Sequence, residues 1–175
     1  MARITVNETG TQPLILVSTT IGNATQIQTG NISGSNVLSV GCLQDVTITS
    51  STGVFSWTDF CSIDTNKLPT PADNEISTNI VLDDVKYFGA NTAIQTASDQ
   101  GVAALSQNKV PVQFLVVWNN SNVSAVVGGA QSGNTYWSSG VGYITSLAPT
   151  VSPDAPVWVS PMTIAVDGTM YNGKD

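Results

Sequence analysis

The chain has 175 residues, the length of a single domain, and only 10% of them are charged, well below the share in an average globular protein. It contains no histidine, which excludes the Ser-His-Asp and Cys-His arrangements of nucleophilic catalysis. Five basic residues face twelve acidic ones, and no Lys or Arg lies between Val110 and Gly173, so stable binding to nucleic acid phosphates is not expected. We expect one domain over residues 1–175, rich in β-structure.

The start of the chain and its two cysteines bear on its cellular compartment. Leu14–Val17 is a short apolar run in polar surroundings, so we expect neither a signal peptide nor a membrane span. Cys42 and Cys61 have no histidine companions, so a zinc site would lack ligands. Two reduced thiols buried in strands are expected in a reducing compartment, and a disulfide that pins a hairpin is the alternative.

Short runs rich in Val, Ile, Thr and aromatic residues alternate with turn residues, which is the pattern of antiparallel strands. In Val46–Thr49 apolar and polar residues alternate, so one face of this strand is expected to be buried. The other predicted strands, in chain order, are Leu14–Ser18, Val37–Val40, Val54–Ile63, Ile76–Leu82, Val112–Trp118, Val123–Val127, Val141–Leu147 and Val157–Val166.

Residues 42–82 are expected to form a long hairpin or arm that leaves the body of the domain. Its tip is predicted in the polar, proline-containing segment Asp64–Ile76, which is too rigid for a linker and too polar for a core. Phe55, Trp57 and Phe60 gather on this arm, and the first two share one face of a strand. Packing in a core or a subunit interface is expected for them, and a carbohydrate-stacking platform is the alternative.

One amphipathic helix is predicted over residues 93–107, where the apolar side chains fall on one stripe. Thr96 and Asp99 have the spacing of a capping box, and Asn108 and Pro111 predict the C-terminal end of the helix. We expect this helix to lie on the sheet as a structural element.

The run Phe114–Trp118 is apolar on both faces. This pattern predicts a central strand covered on both sides, or a wall strand covered by a neighbouring subunit. Turns are predicted after it at Gly128–Gly129, Asp167–Gly168 and Asn172–Gly173.

Carboxylates are the remaining candidates for chemistry. Asp83 and Asp84 are the only adjacent acidic pair, and on the predicted strand they would point to opposite faces, so they could not act together on one glycosidic bond. The acidic positions also lack the alternating ligand spacing of a calcium loop. We therefore predict a protein that is not an enzyme and has no catalytic, metal or cofactor site.

From Ser98 onward the order of features points to a family. A helix with Gly101, Ala103 and Leu105 precedes the strand Val112–Trp118 and a hairpin. A strand with aromatic residues and glycine follows at Tyr136–Leu147, then a proline-marked connection with Asp154 and a last strand ending in Ile164–Gly168. This order resembles that of the lambda-like major tail tube proteins of long-tailed bacteriophages.

The resemblance implies a mostly-β fold, a β-sandwich or barrel with one flanking α-helix and a long inter-subunit hairpin or loop. It implies hexameric rings that stack into the tail tube and conduct the phage genome into the host. The implied partners are further copies of the chain, the tape-measure, tail-tip and tail-terminator proteins, and double-stranded DNA that passes through the lumen without specific binding. The implied location is the virion tail after assembly in the host cytoplasm, with no membrane and no cofactor involved.

Two sets of site residues follow from this hypothesis. The arm over 42–82 matches the family's inter-ring loop in position and character, and the candidate residues of the subunit interface are Phe55, Trp57, Phe60, Leu68 and Pro69. A formal charge of −7 per copy suits a channel that repels passing DNA, and the candidate lumen-facing acids are Asp83, Asp84 and Asp167. The alternatives are a carbohydrate- or receptor-binding β-sandwich that decorates a virion, and a capsid or head-completion protein.

Overall fold

The computed structural model describes residues 12–32, 37–40, 43–58, 65–89, 97–120, 136–151, 153 and 157–174. Its seven strands form one antiparallel sheet in the order β2-β1-β5-β6-β7-β4-β3. The elements are β1 (Gln12–Ser18), α1 (Ala24–Gln28), β2 (Val37–Val40), β3 (Leu43–Trp57), β4 (Asn66–Val81), α2 (Asp84–Phe88), α3 (Ala97–Gln107), β5 (Pro111–Asn120), β6 (Tyr136–Leu147) and β7 (Val159–Lys174). The mostly-β fold class expected from the sequence is confirmed.

In the described residues the seven strands form one open sheet, whereas the family resemblance implied a β-sandwich or barrel. β2 and β3 are its two margins and do not pair with each other. Side chains from both margins nevertheless enter one core cluster, including Val40 of β2 and Val46 and Ile48 of β3. The sheet therefore curls around its own core, as the cumulative twist of a long antiparallel sheet allows.

The central strand is β5, which lies between β1 and β6 and is buried on both faces. Phe114 and Val116 point into the larger core cluster, together with side chains of α2 and α3. Leu115 and Val117 point the other way, into a smaller cluster with Trp137. Successive side chains of a strand alternate between faces, so a doubly apolar run needs a cover on each side. The central strand predicted at Phe114–Trp118 is confirmed.

The smaller cluster is covered by the segment around α1, which Gln113 of β5 holds in place. The Gln113 side chain is fully buried; its Oε1 accepts from the Gly22 N–H and its Nε2 donates to the Asn31 carbonyl, both at 2.8 Å. A Cβ on Gly30 would lie 2.7 Å from the Trp137 ring, so only glycine lets the chain pass over the indole here. This face of the sheet is thus closed by a segment anchored at two points.

The helical content differs from the single predicted helix. Two helices of five residues each, α1 and α2, accompany α3, which begins within the predicted 93–107 range and ends at Gln107 as expected. α3 is kinked at Gly101, where φ is 67° and a Cβ would lie 2.6 Å from the Tyr87 carbonyl. Glycine is therefore needed for the close approach of α2 to α3. Thr96 of the proposed capping box lies outside the described residues.

β3 and β4 form one long hairpin, paired from Leu43↔Ile80 to Trp57↔Asn66. The loop predicted at Asp64–Ile76 is wrong over most of its length, because β4 already begins at Asn66. β4 pairs with β7 only from Val81 back to Glu75, and beyond that point the other side of β4 carries no strand of the described chain. Prolines, which cannot donate to a ladder, are tolerated in such an edge.

β7 corrects a second prediction. Asp167–Gly168 and Asn172–Gly173 are part of this continuous strand instead of turns. Gly168 has a φ of 84° and lies where the β6–β7 register shifts between Val141↔Asp167 and Ser139↔Tyr171. The glycine therefore forms a bulge, which needs the same backbone freedom as a turn. The strand predicted at Val123–Val127 and the turn at Gly128–Gly129 lie outside the described residues.

Candidate assembly surfaces

The end of the β3–β4 hairpin projects beyond the sheet as a two-stranded arm, formed by residues 50–57 and 66–74. Its side chains are exposed, apart from Asn66 and Asn74 near its two ends. A two-stranded ribbon has no layer of structure behind it, so apolar side chains on it stay in contact with water. A stretch of exposed apolar residues on such a ribbon is typical of a surface that a partner covers.

Phe55, Trp57 and Leu68 make up the arm patch, on one face of this ribbon. Phe55 and Leu68 are directly paired across the strands, and the rings of Phe55 and Trp57 stack with centroids 5.8 Å apart at 26°. Phe55 is 59% and Trp57 41% exposed. Residues two apart on a strand share a face, which is why the sequence brings these rings together. The arm patch is thus an ordered aromatic surface open to a partner.

The opposite face of the arm carries the pairs Val54↔Pro69 and Ser56↔Lys67. Val54, Pro69 and Lys67 are all exposed. Of the five predicted interface residues, the structure brings together Phe55, Trp57 and Leu68 and puts Pro69 behind them. Phe60 lies outside the described residues, as do Cys42 and Cys61.

A groove of about 360 Å³ lies at the other end of β4, lined by Leu82, Asp83, Asp84, Phe88, Val157 and Trp158. The Leu82 N–H donates to the Trp158 carbonyl at 2.9 Å, so the β4–β7 ladder continues to the edge of the groove. Phe88 is 55% and Trp158 49% exposed. The groove thus has an apolar, largely aromatic wall in contact with water.

The acidic rim of the groove is made by the start of α2. Asp83 is the N-cap of this helix and accepts from the Lys86 N–H at 3.1 Å, and Asp84 lies in the first turn. Carboxylates are favoured there by the free N–H groups and the helix dipole. The expectation that these two acids point to opposite faces of a strand is therefore wrong, since neither lies in a strand.

Asp167, the third predicted lumen-facing acid, is exposed in β7 beside the Gly168 bulge. Nine residues of chain separate it from Trp158, which corresponds to a distance on the order of 30 Å along an extended strand. The structure therefore brings Asp83 and Asp84 together and leaves Asp167 apart from them.

Unpaired strand edges form a further candidate surface. Among the described residues β2 pairs only with β1, and β3 pairs only with β4. β4 leaves β7 after Glu75↔Ala165, so the stretch Val166–Lys174 of β7 has β6 on one side and no described strand on the other. Such edges present N–H and C=O groups that another chain can pair with.

The tryptophans divide into structural and exposed ones. Trp137 is only 5% exposed, and it is packed against Gly30 and Gly173, so it cannot offer a face to a sugar. Trp118 donates its Nε1–H to the Ser138 hydroxyl at 3.1 Å. Trp57 and Trp158 are the exposed pair, one on the arm patch and one in the groove.

No group of three or more His, Cys, Asp or Glu side chains that could hold a metal ion occurs in the described part of the chain. Within the same residues, no helix combines the length and the apolar character needed to cross a bilayer. Asp45 has a structural role: its carboxylate accepts from the Asn79 backbone N–H and side-chain amide, both at 2.7 Å.

The groove escaped sequence analysis, because its wall comes from two segments distant in the chain. Leu82–Phe88 follows β4 and Val157–Trp158 precedes β7, and they meet only through the β4–β7 pairing. The one relevant residue in the sequence was Trp158, whose carbonyl accepts from Leu82, next to the two acids. Whether its ring is exposed cannot be read from the local sequence.

Comparison with known proteins identifies the fold. No protein-family model and no curated protein matches the sequence. A chain from the virion of a native gene transfer agent particle is similar in structure, with a TM-score of 0.52 and 13% identity over 78% of this chain and 88% of that one. A chain from the tail of an empty gene transfer agent particle, computed with C6 symmetry, has a TM-score of 0.52 and 14% identity over 87% of this chain and 99% of that one.

This chain shares the backbone fold of the two gene transfer agent chains. A chain from the sheath/tube terminator structure of an extracellular contractile injection system has a TM-score of 0.48 and 12% identity, and the match covers 99% of both chains. At this level of identity the likeness concerns the backbone architecture. The mostly-β fold expected from the sequence agrees with the two gene transfer agent chains, whose TM-scores are 0.52.

Proposed function

We propose that this protein is a tail tube subunit of the lambda-like kind, a structural and non-catalytic protein of which six copies form a ring. Rings stack into a tube that conducts the genome during ejection. The observation that carries the proposal is an open sheet with unpaired edges in a fold shared with a chain from a C6-symmetric tail. Its partners would be further copies of itself.

Ring closure is supported by the edges of the sheet. An isolated copy leaves the outer sides of β2, of β3 and of residues Val166–Lys174 of β7 without a strand neighbour among the described residues. Backbone N–H and C=O groups favour pairing, and a closed ring of sheets leaves no edge exposed. Every copy carries the same three unpaired edges, so identical copies in a ring can pair their edges with one another.

Passage of DNA is supported by charge. Each copy carries a formal charge of −7, and a ring of six would therefore carry six times that amount. A surface of the same sign as DNA does not retain it, since retention depends on Lys and Arg contacts to phosphates. Asp167 would then face the lumen, whereas Asp83 and Asp84 line the groove at the end of β4.

The remaining partners follow from the geometry of a stacked tube. A stack exposes one ring at each end, where the tail-tip and tail-terminator proteins would bind, and its lumen would hold the tape-measure protein before DNA. The protein would then reside in the virion tail after assembly in the host cytoplasm, without contact with a membrane.

Negative-stain electron microscopy of the purified protein tests this proposal. We expect six-subunit rings or tubes with a channel wide enough for a DNA duplex. The double variant Phe55→Ser/Trp57→Ser should keep its thermal stability, because both side chains are exposed, but should lose tubes. Ile21→Ser is the matched control, since it removes another exposed apolar side chain.

Two outcomes would contradict the proposal. Monomers at every salt concentration, also in the presence of tail-tip proteins, would exclude a tube subunit. Twelve-fold rings that never extend into tubes would instead indicate a head-completion protein.

A carbohydrate-binding role is the second candidate, favoured by the stacked and exposed pair Phe55 and Trp57. Sugars bind such aromatic faces. Quenching or protection of Trp57 fluorescence by an oligosaccharide, with loss of the effect in Phe55→Ser, would support it over assembly, because that variant removes the stacked ring and keeps the fluorescent one.

A further inference from the structure

We infer that the groove at the end of β4 is the receptor for the arm patch of a second copy, so that copies join head to tail along β4. The inference rests on the proposed function and adds the site at which successive rings contact each other. The groove is the one lined by Leu82, Asp83, Asp84, Phe88, Val157 and Trp158.

The arm patch and the groove lie at opposite ends of the same strand. β4 has 16 residues between the arm tip at Asn66 and its end at Val81, and Leu82 opens the groove directly afterwards. At about 3.3 Å per residue the two surfaces are on the order of 50 Å apart. The arm therefore cannot fold back into the groove of its own chain, and only another copy can bring an arm patch to it.

The two surfaces are both apolar and largely aromatic. The arm patch presents two stacked rings beside Leu68, and the groove offers about 360 Å³ lined by Phe88 and Trp158. Aromatic side chains bury roughly 150–250 Å² each when covered, and aromatic anchors seated in pockets dominate binding energies. Phe55 and Trp57 are thus suited to fill the groove, and both partners lose exposed apolar surface.

The charges nearest the proposed contact are also opposite, since Asp73, the acid of the described arm, lies toward its base opposite Ser51. Among the described residues of the arm, Lys67 is the one basic side chain, and it neighbours Leu68 of the arm patch. Asp83 and Asp84 are both exposed at the rim of the groove. A lysine stem is long enough to carry its ammonium group around the edge of a two-stranded ribbon. Docking would therefore bring a cation to two carboxylates and fix the direction of approach.

Such a contact is heterologous, since it joins two different surfaces. Every copy that docks its arm still has a free groove at its other end, so the association repeats without limit along one axis. Six such contacts between two rings would act together, because each contact made raises the effective concentration of the remaining arms and grooves for one another. A stack of rings is the expected product.

The directional nature of the contact permits a test by mixing. The arm variant Phe55→Ser/Trp57→Ser keeps an intact groove, and the groove variant Phe88→Ser/Trp158→Ser keeps an intact arm. Loss of an aromatic anchor weakens one contact by about thirty-fold or more. We expect each variant alone to form rings without tubes by sedimentation and electron microscopy, and a mixture to form double rings that do not grow.

Charge exchange gives an independent readout. Lys67→Glu alone and Asp84→Lys alone should each raise the concentration needed for tube formation, whereas the double variant Lys67→Glu/Asp84→Lys should restore it. Circular dichroism of every variant should match the parent protein, because all substituted side chains are exposed. Thermal unfolding should also match, except that variants with Asp84→Lys should unfold at a slightly lower temperature, because a cation replaces the acid in the first turn of α2. Ile21→Ser again serves as the control for the loss of an exposed apolar residue.

The results separate this inference from the proposed function. Tubes formed by the groove variant as readily as by the parent would overturn the inference and leave the tube function standing. Loss of tubes in the groove variant alone, with normal tubes in the arm variant, would overturn it in favour of a different occupant of the groove. A parent protein that forms no rings or tubes would refute both.

Discussion

Gln113 gives the sharpest test of how the sheet is covered. Its fully buried amide bridges the Gly22 N–H and the Asn31 carbonyl with two hydrogen bonds of 2.8 Å, so Gln113→Leu keeps the volume but leaves two backbone groups without partners. Each orphaned group costs about 1–3 kcal/mol. Gly22 and Asn31 are half-buried and partly reached by water, so we expect a total loss of about 2–3 kcal/mol.

Urea and thermal unfolding measure this loss. A change of that size corresponds to a fall in Tm of about 5–10 °C for a chain of this length. Gln107→Leu, at an exposed position of α3, is the matched control and should change the unfolding free energy by less than about 0.5 kcal/mol. Amide exchange should rise first in residues 19–32. Equal effects of the two substitutions would show that the bridge does not hold the α1 segment.

Two further predictions concern packing and pH. Gly173→Ala should cost about 2–3 kcal/mol of unfolding free energy, because a Cβ there would collide with the Trp137 ring, which Gly30 blocks from the other side. Gly168→Asn should cost less, because no atom lies within 4 Å of a Cβ there and asparagine tolerates the positive φ. The reverse order in urea titrations would contradict this packing. Burial raises the pKa of Tyr87 above its ordinary 10.0, so the unfolded chain loses this proton first and the unfolding free energy should fall as the pH rises above that value. Tyr87→Phe should flatten this fall, and an unchanged slope above pH 10 would contradict the prediction.

The strands of the body were predictable, because their patterns are local. Phe114–Trp118 has apolar residues at every position, and only a strand covered on both faces accommodates that pattern. The start and end of β2 coincide with the predicted Val37–Val40. The covering segments were not predictable, since Gln113 is polar and its burial depends on two backbone groups far away in the chain.

The errors arose at prolines and glycines, which occur in loops and turns but also in strand edges and bulges. Pro69 and Pro71 indicated a loop, yet they lie in the part of β4 that pairs with β3 and has no described strand on its other side, where prolines are tolerated. Gly168 indicated a turn and forms a bulge in β7. A single sequence does not state whether a strand has a neighbour on each side, and that information decided both cases.

Of the two surfaces in the proposed ring-to-ring contact, the arm patch was predictable and the groove was not. Phe55 and Trp57 could be placed on one strand face from their spacing alone, and their location on an arm followed from the polar residues around them. The groove required the pairing of β4 with β7 to bring Trp158 beside Leu82. Contacts between segments so distant in the chain leave no periodic signal.

The two prolines of β4 affect how the exposed arm of an isolated copy can aggregate. Neither Pro69 nor Pro71 has an N–H, so the exposed strand around them offers two fewer donors to any chain that would extend the sheet there. A long, flat, apolar edge without such gaps is a template for amyloid-like growth. The arm can therefore keep its aromatic side chains exposed while its backbone gives an added strand fewer donors to pair with.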